Sequence, residues 1–199
     1  MAKQPLMDEA LKGELAALYR QPGRHYHGPA HISALLALAD EHRAELADPE
    51  AVVAAIWFHD AVYDSRRADN EARSAALAAE KLAGRTSPGR LARIVAMIEA
   101  TATHGPPHSS DDATIRDAAL FLDMDLSILG AAPDAFDAYE DAVRLEYGWV
   151  DDKAWAEGRA AVLRTFLLRP AIYRTESFRN RYEAQARRNI ERSLAALAR

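Results

Sequence analysis

Apolar and polar positions alternate along this chain with the period of an α-helix almost from end to end. The segment 87–101 shows the pattern most clearly. Its branched apolar side chains recur at spacings of three and four residues, at Leu91, Ile94, Val95 and Ile98. These positions share one helix face, which predicts a single buried stripe. No stretch has the sustained two-residue alternation of a half-buried β-strand, so the sequence predicts an all-α fold.

Local start signals divide the chain into helices. Proline is favoured at the first position of a helix, and Pro29, Pro49 and Pro88 each begin one. Asp48 and Ser87 precede two of these prolines and are suitable N-caps. Further helices are predicted over residues 6–20, 69–83, 111–125, 134–147, 151–168 and 176–197. Turns rich in Gly and Pro separate the helices, and no internal repeat or linker is present, so one domain is predicted over residues 1–199.

Composition and charge narrow the class of protein. A chain of 199 residues with 49% hydrophobic and 28% charged residues can bury the core of one compact domain. Its net charge of −5 argues against a broad nucleic-acid surface, which would have to neutralise many phosphates. No apolar segment approaches the roughly 20 residues of a membrane span, and the first residues lack the apolar core of a signal peptide. The expected location is the cytoplasm.

Candidate chemistry centres on the dipeptide His59-Asp60, which closes the apolar run AVVAAIWFHD. His31 precedes it, and the later segment DMD supplies Asp123 and Asp125. Because the chain has no cysteine, nitrogen and oxygen atoms must hold any metal. Imidazoles with carboxylates suit divalent Mn, Fe, Co, Ni or Zn, and ligand type alone does not choose among them. The two aspartates of DMD face different sides of a helix, so we expect only one to point inward.

The same residues resemble the H…HD…D signature of the HD-domain metal-dependent phosphohydrolases. More narrowly, a set of segments is similar to a bacterial family of metal-dependent HD phosphohydrolases. These segments run from about residue 24 to about residue 190 and read RHYHGPAHI, WFHDAVYD, DNEARSA, TATH, FLDMDLSILG, GRAAVLRTFL and IYRT. The resemblance implies an all-α HD-type helical bundle with a divalent metal. It also implies hydrolysis of a phosphate ester or anhydride, of a nucleotide or a small phosphorylated metabolite.

The resemblance also implies a set of metal ligands. It places His31, His59 and Asp60 on the metal. The sequence context of the last aspartate in HD proteins favours Asp125 over Asp123 as the remaining ligand.

Hydrolysis needs a nucleophile and a way to neutralise charge on the phosphate. A bound metal supplies both, because it lowers the pKa of its water and polarises the phosphoryl oxygen. Asp64 lies one helical turn after Asp60 if the helix continues, and from there it would orient or deprotonate the water. Some nucleotide-cleaving HD enzymes have an acid at this offset, preceded by a second acid where this chain has Tyr63. The role of Asp64 therefore stays open.

Several further residues are candidates for substrate contacts. A guanidinium group can bind two phosphate oxygens at once. The candidate arginines are Arg24, Arg66, Arg67 and Arg159. His27 either approaches the metal or substrate or is a loop histidine. His104 either contacts substrate or a second metal, or interacts with a helix dipole. Glu71 and Asn70 follow the HD segment closely enough to contact substrate or a metal ligand.

Structural roles are expected for other polar and aromatic residues. Asp69 is the predicted cap of the helix that follows it. His42 and His108 are expected to face solvent. Three aromatic residues, Tyr147, Trp149 and Trp155, are expected to be packing anchors around a late helix pair rather than platforms for a nucleotide base.

Two other functions stay open. One is a ligand-sensing or scaffolding module that keeps the HD pocket without turnover. The other is an HD-like enzyme with two metal ions and a non-phosphate substrate, in which His104 or further carboxylates bind the second ion. The expected partner is a small phosphorylated substrate or nucleotide, with no membrane involved, and a homodimer is left open.

Overall fold

The computed structural model describes residues 5–198, and α-helices dominate this part of the chain, which contains no strand. The helices in chain order are α1 (Glu9–Tyr19), α2 (Pro29–Glu41), α3 (Pro49–Phe58), α4 (Asn70–Leu82), α5 (Pro88–Ala100), α6 (Asp112–Asp125), α7 (Pro133–Glu146), α8 (Asp152–Leu167), α9 (Glu176–Phe178) and α10 (Ala184–Leu197). Short 3-10 turns occupy Arg43–Glu45 and Leu126–Gly130, and a π-helical segment occupies Arg179–Glu183. The predicted all-α fold is confirmed. None of the described helices is long and apolar enough to cross a membrane.

Observed helix boundaries differ from the predicted ones by three residues or fewer. The largest difference is at the start of α1, predicted at residue 6 and observed at Glu9. The side chain of Asp8 accepts a hydrogen bond from the Leu11 N–H at 2.8 Å and so caps the helix there. The predicted helix over 176–197 is a continuous helical path that contains the π-helical segment.

The chain forms two compact units, Met1–Met124 and Asp125–Arg199. In the first unit α3 is the central helix and packs against α2, α4 and α5. Its apolar side chains surround it on every face, as expected of a helix inside a core. Six of its ten residues are fully buried: Ala51, Val52, Ala54, Ala55, Ile56 and Phe58. The single domain predicted over residues 1–199 stays a prediction.

The start of α3 is anchored by side chains from two other helices. Asp48 caps α3 by accepting a hydrogen bond from the Ala51 N–H at 3.1 Å, and it also accepts one from Arg90 of α5 at 2.7 Å. Asp117 of α6 is fully buried and accepts from the backbone N–H groups of Ala47 and Asp48, at 2.7 and 2.9 Å. Helices α5 and α6 therefore set where α3 begins.

The buried face of α5 is wider than the stripe predicted from the sequence. Ile94 and Ile98 are fully buried, as expected, but Leu91 and Val95 are only half-buried. Met97 is fully buried as well. The reason is that α5 packs between α3 and α4, so two sides of the helix are covered.

The second unit is organised around the 3-10 turn that follows α6, against which α10 and α7 pack. Asn189 of α10 is buried and donates hydrogen bonds to the carbonyls of Leu129 and Ala131, both at 2.9 Å. The Tyr173 hydroxyl donates to the Leu126 carbonyl at 3.0 Å. Side chains thus satisfy backbone groups that a short turn leaves without helical partners.

Two of the expectations for aromatic and histidine side chains are wrong. Trp149 lies in the loop after α7 and is 50% exposed, with its ring stacked on Tyr147, so it is no packing anchor. The His42 side chain is only 11% exposed, and its Nδ1 lies 2.6 Å from an oxygen of Glu45 in the following 3-10 turn. His108 is exposed, as expected.

Gly130→Ala should destabilise the protein, because the chain approaches Gly130 closely. An added Cβ would lie 2.6 Å from Cβ and 2.7 Å from the carbonyl oxygen of Tyr182. We expect the free energy of unfolding to fall by about 1–3 kcal/mol, the usual cost of overpacking, as measured by urea denaturation. Gly158→Ala is the control: Gly158 lies inside α8 with nothing within 4 Å of an added Cβ. That variant should gain about 0.5–1 kcal/mol from helix propensity, and equal effects at both sites would contradict the close approach.

We expect Asp48→Asn to lower the free energy of unfolding at neutral pH and to change it little in acid. Burial raises the pKa of Asp48, but hydrogen bonds from Arg90 and the Ala51 N–H outweigh it, so this pKa lies below its ordinary 3.8. The charged carboxylate therefore stabilises the fold above pH 3.8, and the contribution is lost as the pH falls through the lowered pKa. We expect a loss of about 1 kcal/mol at pH 7 that shrinks in acid, measured by denaturation across pH.

The matched control is Glu50→Gln, since Glu50 also pairs with Arg90 but its side chain is 69% exposed. It should change stability by less than about 0.5 kcal/mol. A loss in Asp48→Asn that stays constant across the pH range would contradict the assigned role of the carboxylate.

Candidate metal centre

The site begins where α3 ends. His59 is the C-cap of α3 and Asp60 follows it, with only 1% and 9% of their surfaces exposed. His59 Nδ1 lies 2.9 Å from the carbonyl oxygen of Ile56. A carbonyl only accepts hydrogen bonds, so Nδ1 carries the proton and, in the neutral ring, Nε2 carries the lone pair. This is the arrangement of a histidine that binds a metal through Nε2.

A second imidazole faces the first. His31 lies on the first turn of α2, and its Nε2 is 3.2 Å from His59 Nε2. Asp60 Oδ2 lies 2.9 Å from His59 Nε2 and 3.8 Å from His31 Nε2. Two nitrogens bound to one ion at about 2.1 Å are about 3.0–3.4 Å apart for right-angle to tetrahedral geometry. The observed separation of the two nitrogens matches a shared cation.

The last residue of α6 adds a carboxylate. His31, His59 and Asp125 each offer one ligand atom, and these atoms all lie within 4.8 Å of one another. This group could hold a metal ion. Among the described residues, neither Asp123 nor Asp60 belongs to this group. Asp123 is fully buried, and Asp60 contacts His59 directly.

The electrostatics of the site favour a cation. Burial raises the pKa of Asp60, but the charges of His59, His27 and His31 outweigh it and hold that pKa well below its usual range. Asp60 is therefore a carboxylate. The C-terminal end of a helix carries partial negative charge, and α3 ends at this position. A divalent cation would be attracted by both.

The structure moves Asp64 off the helix. Because α3 stops at Phe58, Asp64 lies in the loop that follows His59 and Asp60 rather than one helical turn from Asp60. The Asn70 side chain holds this loop, since it accepts from the Asp64 N–H at 3.1 Å and donates to the Asp64 carbonyl at 2.9 Å. The Asp64 side chain is exposed and accepts from the Arg66 N–H at 2.9 Å. Its role with the water stays a prediction.

Among the substrate candidates, His27 lies beside the site. Its ring stacks on Tyr63 at 4.4 Å, and its centroid is 6.1 Å from that of His31. His104 lies beyond the end of α5 in a left-handed conformation, with φ of 46°. Among the described residues it is not part of the ligand group. Glu71 is half-buried in the first turn of α4.

Asp69 is the N-cap residue of α4, as predicted, but its side chain makes no capping hydrogen bond. Arg67 binds both carboxylate oxygens of Asp69 at 2.7 Å, so the carboxylate makes no side-chain capping bond to α4. Arg66 and Arg67 are exposed in this loop.

Two predicted phosphate contacts have their guanidinium groups bound to protein instead. Arg159 is 9% exposed, pairs with Glu140 and donates to the Tyr139 hydroxyl at 2.7 Å, within the second unit. The pKa of Tyr139 is raised chiefly by burial. Arg24 donates to backbone carbonyls near the site, including that of Asp60 at 2.6 Å. Sequence identifies the charge of an arginine but not the direction in which its long side chain runs.

Sequence reasoning missed Ser74. Its hydroxyl is fully buried and lies 3.1 Å from the Val62 N–H and 3.2 Å from the Val62 carbonyl oxygen. Ser74 therefore holds the backbone that follows His59 and Asp60 against α4. In the sequence, the only indication of this role was the position of Ser74 one turn into a predicted helix.

Comparisons of the chain with family models, with curated proteins and with solved structures found no match.

Asp125→Asn should weaken metal binding by about 10–100-fold with little change in stability, because it removes charge from one ligand atom. Asp123→Asn, its control in the same helix, should leave metal affinity unchanged. The control should lose about 1–3 kcal/mol of unfolding free energy, the cost of disturbing a buried polar group. Calorimetric titration with Mn²⁺ and urea denaturation give both quantities, and the reverse pattern would make Asp123 the ligand.

Proposed function

We propose that this protein is a metal-dependent phosphohydrolase in which water cleaves a phosphate ester or anhydride. The substrate is a nucleotide or a small phosphorylated metabolite. The observation that carries the proposal is the 3.2 Å approach of His31 Nε2 to His59 Nε2, with an Asp125 oxygen within 4.8 Å. The resemblance of these residues to the HD-domain signature supplies the reaction class.

Charge balance supports a cation as part of this chemistry. The site brings the carboxylates of Asp60 and Asp125 to two imidazoles that are neutral when they bind a metal. Two carboxylates alone would repel a phosphate, and a divalent ion neutralises them. A phosphate group could then approach a buried pair of histidines without net repulsion.

His31, His59 and Asp125 could hold such an ion, and we propose Asp60, beside His59, as a further ligand. When bound, the ion would supply an activated water and polarise the phosphoryl oxygen. In the reaction the water oxygen forms a bond to phosphorus, and the bond from phosphorus to the leaving oxygen breaks. One water proton passes to a base, for which the Asp64 carboxylate is the candidate, and the leaving group takes up a proton from solvent.

The burial of His31 and His59 supports a role in holding the metal ion rather than in contacting the substrate. His59 and His31 are 1% and 6% exposed, which fixes their rings and limits competing water. The polar groups nearer the surface, such as His27 and the Asp64 loop, are the candidates to contact substrate.

The test measures metal and phosphate release on one sample. Protein purified without chelator should contain about one divalent ion per chain and release phosphate from one or more of a panel of nucleotides with Mn²⁺, Co²⁺, Ni²⁺ or Zn²⁺. His59→Gln should lose the metal and reduce the rate by about 10³-fold or more, since metal catalysis is worth several kcal/mol.

The control is His108→Gln, which removes an exposed histidine and should change neither metal content nor rate. Metal without turnover on any phosphate substrate would contradict the hydrolase and favour the sensing module. Two ions per chain without phosphate release would favour the dinuclear alternative. A wild-type protein that binds no divalent metal would overturn the site itself.

A further inference from the structure

We infer that Arg24 is a positioning residue that holds the two histidine-bearing segments of the candidate metal centre together, through hydrogen bonds from one guanidinium to backbone carbonyls on both. The inference rests on the metal-binding part of the proposed function and does not depend on the substrate.

The guanidinium of Arg24 joins two segments that are distant in sequence. Nη1 donates to the Asp60 carbonyl at 2.6 Å and to the His27 carbonyl at 3.2 Å, and Nη2 donates to the Ala61 carbonyl at 2.9 Å. Asp60 and Ala61 follow α3, whereas His27 lies one turn before His31 in the loop that enters α2. One planar group therefore spans the backbone on both sides of the paired imidazoles.

The carbonyls beyond the end of α3 need such donors. The last carbonyls of a helix have no N–H partner within it. Here the Tyr19 hydroxyl donates to the Trp57 carbonyl at 3.1 Å, and Arg24 donates to the carbonyls of Asp60 and Ala61, two and three residues beyond the end of α3. A buried carbonyl left unpaired costs about 1–3 kcal/mol, so these bonds select one path for the backbone.

Aromatic rings hold the guanidinium in place. Its central carbon lies 5.1 Å from the ring centroid of Tyr19 and 5.5 Å from that of Tyr63. Tyr19 is 1% exposed, and Tyr63 stacks on His27. The guanidinium of Arg24 therefore has little freedom to turn toward a substrate. Its contacts assign it to the protein backbone.

Lysine could not replace this arrangement. A guanidinium presents N–H donors in a rigid plane and stays charged at every pH of interest, whereas an ammonium is a compact charge on a flexible stem. Charge-assisted bonds to carbonyls are also stronger than neutral ones. The shape of the group matters here as much as its charge.

The metal ligands depend on this backbone position. The 3.2 Å separation of the imidazole nitrogens is set by where α2 begins and where α3 ends. Metal–ligand distances tolerate only about 0.2 Å, so a small shift between the segments would weaken binding. Residues that orient metal ligands typically contribute about 10–100-fold to affinity.

The experiment compares Co²⁺ binding by the wild type, Arg24→Gln and Arg24→Lys. Affinity is measured by titration well below the thermal unfolding range, and the visible absorption of bound Co²⁺ reports the ligand geometry. We expect both variants to bind Co²⁺ about 10–100-fold more weakly, with an altered spectrum. If Arg24→Gln does not fold, Arg24→Lys, which keeps the charge, carries the test.

Two controls separate positioning from general stability. Arg20→Gln removes an exposed arginine near the end of α1 and should change nothing. Arg90→Gln removes the ion pair to Asp48 at the opposite end of α3, so it should lower the melting temperature and leave Co²⁺ affinity and spectrum intact. Wild-type affinity and spectrum in Arg24→Gln would overturn the inference, as would an equal loss of affinity in Arg90→Gln.

Failure of the proposed function has a separate signature. If the wild type binds no Co²⁺ or other divalent ion, the metal site is wrong whatever Arg24 does. The ring positions are then compared by long-range ¹H–¹⁵N correlations of the His31 and His59 imidazoles. The positioning role stands if these signals shift in Arg24→Gln and not in Arg90→Gln, and it falls if they are unchanged.

Discussion

The hydrogen bond from His59 Nδ1 to the Ile56 carbonyl is the constraint on which the candidate site depends. This bond ties Nδ1 of the ring to the last turn of α3, so that Nε2 points toward His31, whose Nε2 lies 3.2 Å away. A free imidazole could rotate and exchange its proton between nitrogens, whereas this hydrogen bond fixes the orientation of the ring and keeps a proton on Nδ1. Asp60 Oδ2 lies 2.9 Å from the same nitrogen, Nε2 of His59, and Asp125 offers an oxygen within 4.8 Å of ligand atoms of both imidazoles.

The helix that carries His59, α3, is held at both ends. Asp117 and Arg90 bind the start of the helix, and Tyr19 and Arg24 bind the carbonyls at its end. Between them six of the ten residues of the helix are fully buried, so it cannot slide or turn without opening the core. Polar side chains from neighbouring segments thus position a helix that carries no polar side chain of its own in its interior.

The helices were predictable because their signals are local. Prolines at first helical positions and capping side chains act within one turn, so α2, α3 and α5 begin where the sequence indicates. The end of α3 was not predictable in the same way. The residues after Phe58 include neither glycine nor proline before Asp64, so no local signal marks the end of the helix. The backbone beyond it instead hydrogen-bonds to side chains from distant segments, Arg24 and Ser74, and Asp64 lies in a loop.

The sequence by itself determined the all-α class, the helix order and the types of metal ligand available, since these follow from periodicity and composition. Only the tertiary structure decided which groups meet. It placed Asp125 beside His31 and His59, left Asp123 buried outside that group, and turned Arg24 toward backbone carbonyls. The physical reason is that residue type states what a side chain can bind, while its partner depends on how distant segments pack.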